Sequence, residues 1–163
     1  MLKEIPYDRA AVVRYAEKWA FKRNPRFPDF DGMGGDCTNF ASQCVWAGCG
    51  VMNYKPVTGW YCNRLNDRSP SWSGVEFLHQ FLVNSDSVGP YAKEAPAELL
   101  LPGDLIQLCD ANGRYYHTPV VVARDQNEIY VAAHTFNAWH RPLSSYTYAG
   151  LRGIHIEGAR KFG

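Results

Sequence analysis

The sequence predicts an α+β fold, with helices in the first half of the chain packed on an antiparallel β-sheet formed by the second half. Residues 8–22 carry apolar side chains at the spacing of an amphipathic helix. After residue 100 the pattern changes to short apolar runs separated by turns, and Asn112-Gly113 is typical of a hairpin. The 163 residues suit one domain with a sizeable core, so residues 1–163 are assigned to a single domain.

The first helix is predicted over residues 8–22, with Asp8 as its N-cap. Its apolar residues follow the i, i+3, i+4, i+7, i+8 pattern and are Val12, Tyr15, Ala16, Trp19 and Ala20. Residues 23–35 contain two prolines and several glycines, which predicts a loop before the next helix.

The second helix is predicted to begin at Cys37. Asp36 is a good N-cap candidate, and Gly48 and Gly50 mark the helix end. The apolar stripe of this helix consists of Phe40, Cys44 and Val45. The helix therefore starts with a cysteine that follows two glycines and an acid, a placement that a structural thiol does not require.

A third helix is predicted after an irregular, aromatic-rich segment at residues 51–71. Ser73 and Glu76 match the capping box, in which the two side chains bond each other's backbone N–H groups. Trp72 and Phe77 occupy the positions of a hydrophobic staple. The inward face of this helix consists of Leu78, Phe81 and Leu82.

The strands are predicted at "LIQLC", "HTPVVVA", "EIYVAAH" and "LRGIHI". If Asp125-Gln126 forms a two-residue turn, His117 faces His134 with Cβ atoms about 4.5–5.5 Å apart. A longer turn shifts this pairing by one or two residues, and Pro119 removes a ladder donor near the strand's start. Both registers remain open at this stage.

Composition and charge exclude several classes of function. The net charge is +1, which gives no electrostatic basis for binding nucleic acid or an anionic membrane. No apolar run approaches the length of a membrane-spanning helix, and the first residues lack the apolar core of a signal peptide. We therefore expect a cytoplasmic location by default, with no membrane partner.

The five cysteines do not form a recognisable metal or disulfide pattern. Their number is odd, no CxxC occurs, and the spacings do not match a zinc finger or ribbon. We expect mostly reduced thiols, no metal site and no cofactor. The cysteines are Cys37, Cys44, Cys49, Cys62 and Cys109.

Cys37, His117 and His134 form a candidate nucleophilic site. A thiol in the first turn of a helix has free backbone N–H groups and the positive end of the helix dipole nearby, which lowers its pKa. The same N–H groups can stabilise an oxyanion. His117 and His134 offer a base and a group that orients the base, so the three residues together suit acyl transfer.

The sequence also resembles the bacterial putative amidase domain family. The similarity covers roughly residues 7 to 156 and is carried by "GGDCTNFASQC", "GWY", "SPSWSGVEFL", "GDLIQL", "HTPVVV" and "AAHTFN…RPLSSY". That family is similar to the NlpC-type cell-wall peptidases of the papain-like superfamily. The resemblance implies a papain-like fold with Cys37 as nucleophile, His117 as base and His134 as the third polar residue. Asn137 is the alternative third residue, since papain-like enzymes can use an asparagine.

The remaining polar and aromatic candidates are given structural or binding roles. Trp60, Tyr61 and Trp72 either pack over the sheet or form a substrate-binding wall beside Cys37. Helix capping is the simplest role for Asp36. Helix-start hydrogen bonding is expected of Thr38 and Asn39, no catalytic role is assigned to Asp104 or Gln107, and surface or packing roles are expected of His79, His140 and His155.

These observations predict a cysteine hydrolase that cleaves an amide or peptide bond. The same site could instead transfer the acyl group to an amine, or the domain could bind ligands without catalysis. The substrate is a peptide or a small amide, and cell-wall stem peptides are the natural candidate from the family resemblance. The oligomeric state is left open.

Overall fold

The computed structural model of the protein describes residues 1–33 and 35–163. Its helices are α1 (Arg9–Trp19), α2 (Cys37–Cys49), α3 (Pro70–Ser73) and α4 (Val75–Asn84). Its strands are β1 (Leu2–Ile5), β2 (Cys62–Arg64), β3 (Asp67–Arg68), β4 (Gly89–Ala95), β5 (Leu105–Cys109), β6 (Tyr115–His117), β7 (Val120–Arg124), β8 (Ile129–Ala133), β9 (Ala138–Pro142) and β10 (Gly150–Phe162). The expected α+β class, with helices and an antiparallel sheet, is confirmed.

The first two helices begin where local signals in the sequence place them. The Asp8 carboxylate accepts a hydrogen bond from the Ala11 backbone N–H at 3.0 Å and caps α1. Helix α2 starts at Cys37 and ends at Gly50, which adopts a φ of 72°. Glycine takes this left-handed conformation without the strain that a Cβ would introduce.

The predicted capping box of the third helix is wrong. Ser73 belongs to the short helix α3, which begins at Pro70 and closes when the Gly74 N–H donates to the Pro70 carbonyl at 2.9 Å. Gly74 then stands at the N-cap of α4, and no side chain caps that helix. The proline at the first helical position starts a separate turn, so the Ser73 hydroxyl is free to accept from Arg68 instead.

The main sheet has eight strands in the order β1-β10-β5-β7-β8-β9, with β4 on β10 and β6 on β5. All described pairings are antiparallel. The hairpin predicted at Asn112-Gly113 joins β5 to β6, and Gly113 adopts a φ of 79° there. The sequence patterns did not predict β1, β2, β3, β4 or β9.

The predicted pairing of His117 with His134 is wrong. The turn after β7 is centred one residue later, on Gln126-Asn127, because the Asp125 carboxylate accepts from the backbone N–H groups of Asn127 and Glu128 at 2.8 Å. Val120 consequently faces Ala132. His117 lies on β6 instead, where it faces Leu108 of β5.

The sheet buries apolar side chains on both faces because residues alternate along each strand. On one face, Leu105, Val120, Val122 and Ala132 pack with the helices, including Phe40 and Cys44 of α2. On the other face a second cluster consists of Leu100, Ile106, Leu108, Val121, Ile129, Val131 and Leu143. This packing holds α2 tightly against the sheet.

Across residues 1–33 and 35–163, none of the helices is long and apolar enough to cross a membrane. The same part of the chain contains no group of three or more histidine, cysteine or acidic side chains placed to hold a metal ion. All five cysteines are free thiols and are buried.

Candidate functional site

The start of helix α2 lies against the end of strand β6, which brings Cys37 beside the segment that carries His117. The Cys37 sulfur is 3.9 Å from the carbonyl oxygen of Tyr116, the residue before His117. The hydroxyl groups of Thr38 and Thr118 are 3.1 Å apart, so the residue after Cys37 meets the residue after His117. The predicted nucleophile and base therefore come from two elements in direct contact.

His117 lies between two tyrosine rings. Its ring centroid is 6.3 Å from that of Tyr116 and 5.6 Å from that of Tyr146, and the His117 residue is 7% exposed. The guanidinium of Arg141 stacks on the Tyr146 ring, with its central carbon 3.7 Å from the ring centroid. Arg141 and Tyr146 begin and end the "RPLSSY" segment that helps carry the family resemblance, but the sequence analysis assigned no role to either residue.

Burial sets the protonation states of the thiol and the imidazole. It raises the pKa of Cys37, although hydrogen bonds at Thr38 and Thr118 act in the opposite direction. It lowers the pKa of His117 to about 4, and the positive charge of Arg141 adds to this effect. The lowered thiol pKa expected from the helix N-terminus is therefore wrong for this state, because desolvation outweighs the dipole. Both groups are neutral at pH 7.

His134 is buried beneath the site rather than beside His117. Its Nδ1 is 2.6 Å from a carboxylate oxygen of Asp36, and its Nε2 is 2.7 Å from the Trp19 carbonyl oxygen. Its ring stacks on Phe40 with centroids 3.9 Å apart. A terminal nitrogen of Arg23 also lies 3.3 Å from Nε2, so the ring is held by a carboxylate, a carbonyl and a guanidinium.

Asp36 stands at the N-cap position of α2, but its side chain makes no hydrogen bond to the helix N–H groups. Its carboxylate accepts instead from the Phe30 backbone N–H at 2.9 Å and from the Asn39 side chain at 2.7 Å. Burial alone would raise the pKa of Asp36, but these bonds and the His134 bond outweigh it and lower that pKa. The expected capping role is replaced by a link between the preceding loop and His134.

Arg23 also binds this cluster, and the sequence gave no sign of its role. Its Nε is 3.3 Å from the Asp36 carboxylate, and its other nitrogens contact Asp31 and the Asn137 amide oxygen, the latter at 3.4 Å. In the sequence, an arginine in a proline-rich loop with acidic neighbours has the same pattern as an ordinary solvent-exposed charge. Asn137, the alternative third residue, thus has Arg23 as its partner.

A turn with unusual backbone angles contacts the residue just before Cys37. Thr135 and Phe136 have φ values of 59° and 62°, which is uncommon for residues other than glycine and unusual for a β-branched one. The Thr135 hydroxyl accepts from the Asp36 backbone N–H at 2.8 Å. Because strained backbone gathers at functional sites, this turn adds to the case for a site at Cys37.

The predicted aromatic wall is wrong for its two tryptophans. Trp60 and Trp72 are fully buried, with ring centroids 4.7 Å apart. The Trp60 indole N–H donates to Ser42 and that of Trp72 donates to Asn39. They form part of the core behind α2 and present no surface to a ligand. Tyr61 is half-buried, and its role as a binding residue stays a prediction.

The other polar residues have structural partners. The Asp104 carboxylate binds Arg9 and His155, each at 2.8 Å. The Gln107 amide donates to the Val75 carbonyl at 2.9 Å. His79 contacts Glu94, and His140 stacks on Tyr130.

A cavity of about 450 Å³ lies elsewhere, between α4 and the loop at residues 53–59. Its lining includes Lys55, Val57, Phe77 and Asp86 but neither Cys37 nor His117. This cavity is therefore separate from the contact between Cys37 and the segment that carries His117.

Comparison with known proteins identifies relatives of unassigned activity. The family described as putative amidase domain matches residues 6–157. Uncharacterized protein YhbB of Bacillus subtilis (strain 168) is 37% identical over 138 residues, which cover 81% of this chain and 42% of that protein. Uncharacterized protein YjcM of the same strain is 25% identical over 151 residues, which cover 86% of this chain and 34% of that protein. The chain thus spans less than half of either relative. No solved structure matches it.

Proposed function

The chain belongs to the putative amidase domain family, and on that premise we propose that it hydrolyses an amide or peptide bond with Cys37 as nucleophile and His117 as base. The observation that carries the proposal is the contact of Cys37 and Thr38 with the backbone and side chains on either side of His117. A thiol at a helix start, beside the strand end that carries an unprotonated imidazole, offers the two groups that covalent acyl transfer requires.

The protonation states favour proton transfer during attack over a pre-formed ion pair. His117 has a pKa of about 4 and is therefore a free base at neutral pH, while the raised pKa of Cys37 keeps the thiol protonated. In this mechanism His117 takes the thiol proton as the sulfur attacks the carbonyl carbon. The resulting oxyanion is stabilised by backbone N–H groups at the start of α2, including that of Cys37.

The second half of the reaction returns the proton. The imidazolium of His117 protonates the leaving amine, and the C–N bond breaks to give a thioester at Cys37. Water then attacks the thioester with His117 as base again, and the acid product leaves with the free thiol regenerated. The sequence of steps consumes one water and needs no cofactor.

His134 is proposed as a positioning residue rather than as the group that orients His117. Its contacts are with Asp36, Trp19, Arg23 and Phe40. It holds the Asp36 carboxylate, and Asp36 directly precedes Cys37. Asn137 has no better basis for the orienting role, because its amide oxygen contacts Arg23.

The papain-like and NlpC-like relationship is part of this proposal. The helix that carries Cys37 precedes the sheet in the chain and packs on it, and His117 ends a strand of that sheet. This is the arrangement that the family resemblance implies. Cell-wall stem peptides are the first substrate class to assay on the same grounds.

The experiment uses p-nitrophenyl acetate, an activated ester that reports thiol acylation without knowledge of the natural substrate. The wild-type chain should give a burst of nitrophenolate and an acetyl group on Cys37 by mass spectrometry. Cys37→Ala should lose the burst and the turnover. The matched control is Cys49→Ala, which removes a buried thiol from the other end of the same helix and should leave both unchanged.

Product analysis with stem peptides and with simple peptide amides then separates the outcomes. Release of a carboxylate product supports hydrolysis, and release of an adduct with an added amine supports transfer. Full turnover in Cys37→Ala would refute the proposed nucleophile. An absence of acylation at Cys37 in the folded wild-type chain would leave the non-catalytic binding domain as the correct reading.

A further inference from the structure

Arg141 is a cation that the proposed mechanism does not use and that no carboxylate neutralises. Among the described residues, the ion pairs of the chain involve other arginines, lysines and histidines, and Arg141 is in none of them. It lies on β9 opposite Val131 and stacks on Tyr146, whose ring also contacts His117. The Tyr146 ring therefore lies between His117, the proposed base, and a guanidinium that has no ion-pair partner among the described residues.

The guanidinium is held in a fixed orientation with one edge free. Its Nε donates to the Ser145 hydroxyl at 2.7 Å, and one terminal nitrogen donates to the Ser145 carbonyl at 3.2 Å. The Ser145 hydroxyl is itself fixed because it donates to the Pro142 carbonyl at 2.7 Å. These bonds occupy the side edge of the guanidinium. The two terminal nitrogens still present the end edge, which matches a carboxylate in two-point geometry.

We propose that Arg141 binds a carboxylate of the substrate beside the Cys37–His117 pair, so that the preferred substrates are peptides or small amides with a carboxylate next to the scissile bond. This inference rests on the proposed function and names its substrate class. The buried Tyr146 hydroxyl, which has no hydrogen-bond partner in the described part of the chain, adds a second polar group at the same place.

The proposal also gives the substrate a part in activating the base. The charge of Arg141 opposes protonation of His117 in the free chain. A bound carboxylate neutralises that charge just when His117 must take the thiol proton. Substrates without the carboxylate would leave His117 a weaker base and would react more slowly for that reason as well as through weaker binding.

The test compares alkylation of Cys37 by iodoacetate, which carries a carboxylate, with alkylation by neutral iodoacetamide. Both reagents react with the same thiolate fraction of Cys37, so this fraction cancels in the ratio of the two rate constants. N-acetylcysteinamide is the reference thiol. We expect the ratio at Cys37 to exceed that of the reference by about fivefold or more, and to fall to within about twofold of it in Arg141→Gln. The control Arg14→Gln removes an exposed charge from α1 and should keep the wild-type ratio.

Cys44 and Cys62 report folding in the same samples, because they are fully buried and react only if the chain opens. If Arg141→Gln does not fold, a second measurement needs no variant: propionate should compete with iodoacetate and lower the ratio of its rate constant to that of iodoacetamide at wild-type Cys37, and propionamide should leave this ratio unchanged. A wild-type ratio equal to that of the reference, an unchanged ratio in folded Arg141→Gln, or equal effects of the two propionyl compounds would each overturn the proposal.

The two proposals fail separately. Normal turnover without any preference for the anionic reagent would refute the carboxylate site and leave the hydrolase intact. A clear preference that Arg141→Gln removes, in a chain that never acylates Cys37, would refute hydrolysis and leave an anion-binding site.

Discussion

His134 and Asp36 form a buried hydrogen-bonded pair, with Nδ1 of the imidazole 2.6 Å from the carboxylate oxygen and side chains that are 1% and 0% exposed. Without the imidazole, the Asp36 carboxylate would keep the Phe30 N–H, the Asn39 amide and Arg23 as partners. Asp36 directly precedes Cys37, so the main contribution of the pair is to the stability and shape of the backbone at Cys37.

The first prediction contrasts the two histidines. His134→Ala should lower the free energy of unfolding by about 1–3 kcal/mol, because the buried Asp36 carboxylate loses one of its hydrogen-bond partners. His117→Ala should leave stability nearly unchanged at pH 7 and lower kcat/KM by about 10²–10⁴-fold, the usual effect of losing a general base. Urea unfolding and turnover of an activated ester measure the two effects.

The control for this pair is His79→Ala, which removes a partly exposed histidine from helix α4 and should change neither quantity by much. If His134→Ala were fully stable but as inactive as His117→Ala, then His134 would act on catalysis as the sequence analysis first predicted, and the positioning role would be wrong.

The second prediction concerns stability in mild acid. His117 has a folded pKa of about 4 against 6.5 in the unfolded chain, so the unfolded state binds more protons between these values. Stability is therefore full above pH 6.5 and falls by about 3 kcal/mol as the pH drops to 4. His117→Gln should remove this loss. The lowered pKa of Asp36 acts in the same direction but only below its ordinary value of 3.8, outside the window.

Urea titrations at pH 7 and pH 4.5 test this directly. The wild-type chain should lose more stability between the two conditions than His117→Gln does. Equal losses would mean that His117 is solvated and can be charged in the folded state, and the free-base mechanism would then lack its starting point.

The third prediction concerns the strained turn before the nucleophile. Thr135→Val removes the hydroxyl that accepts from the Asp36 N–H and should cost about 1–3 kcal/mol, since that donor is left without a partner. Both residues are β-branched, so the strain of the positive φ is the same in each. Thr135→Ser keeps the hydroxyl and is the matched control.

Thermal unfolding and turnover of the three chains give the answer. A Thr135→Val chain as stable and active as Thr135→Ser would show that the hydroxyl does not hold the backbone at Cys37.

Local signals in the sequence predicted the elements that carry the site. Asp8, the cysteine at the start of α2 and the Asn112-Gly113 hairpin all act over a few residues, so the chain reveals them directly. The α+β class followed from the change of periodicity near residue 100. Strands β1 and β4 were not predicted because each pairs with the distant strand β10, and their residues lack a clear alternation of apolar and polar side chains.

The contacts between residues of the site could not be predicted from local sequence signals. A shift of one residue in the turn after β7 was enough to separate His117 from His134, and the Asp125 carboxylate decides that shift. Arg23 and Arg141 act through long-range contacts that depend on the fold. Tryptophan in an irregular segment is compatible with both a core and a binding surface, and only packing distinguishes them.

The fourth prediction separates core from surface among the aromatics first considered as a binding wall. Trp72→Phe loses the indole bond to Asn39 and some core volume, and it should cost about 1–3 kcal/mol of stability. Because Trp72 is fully buried, KM should not change. Tyr61→Ala removes a half-buried ring that contacts Tyr54, and it should raise KM if that ring binds substrate. Urea unfolding with steady-state kinetics distinguishes the two. A raised KM in a stable Trp72→Phe chain would show that the helix α3 region opens during binding and would restore the wall as first predicted.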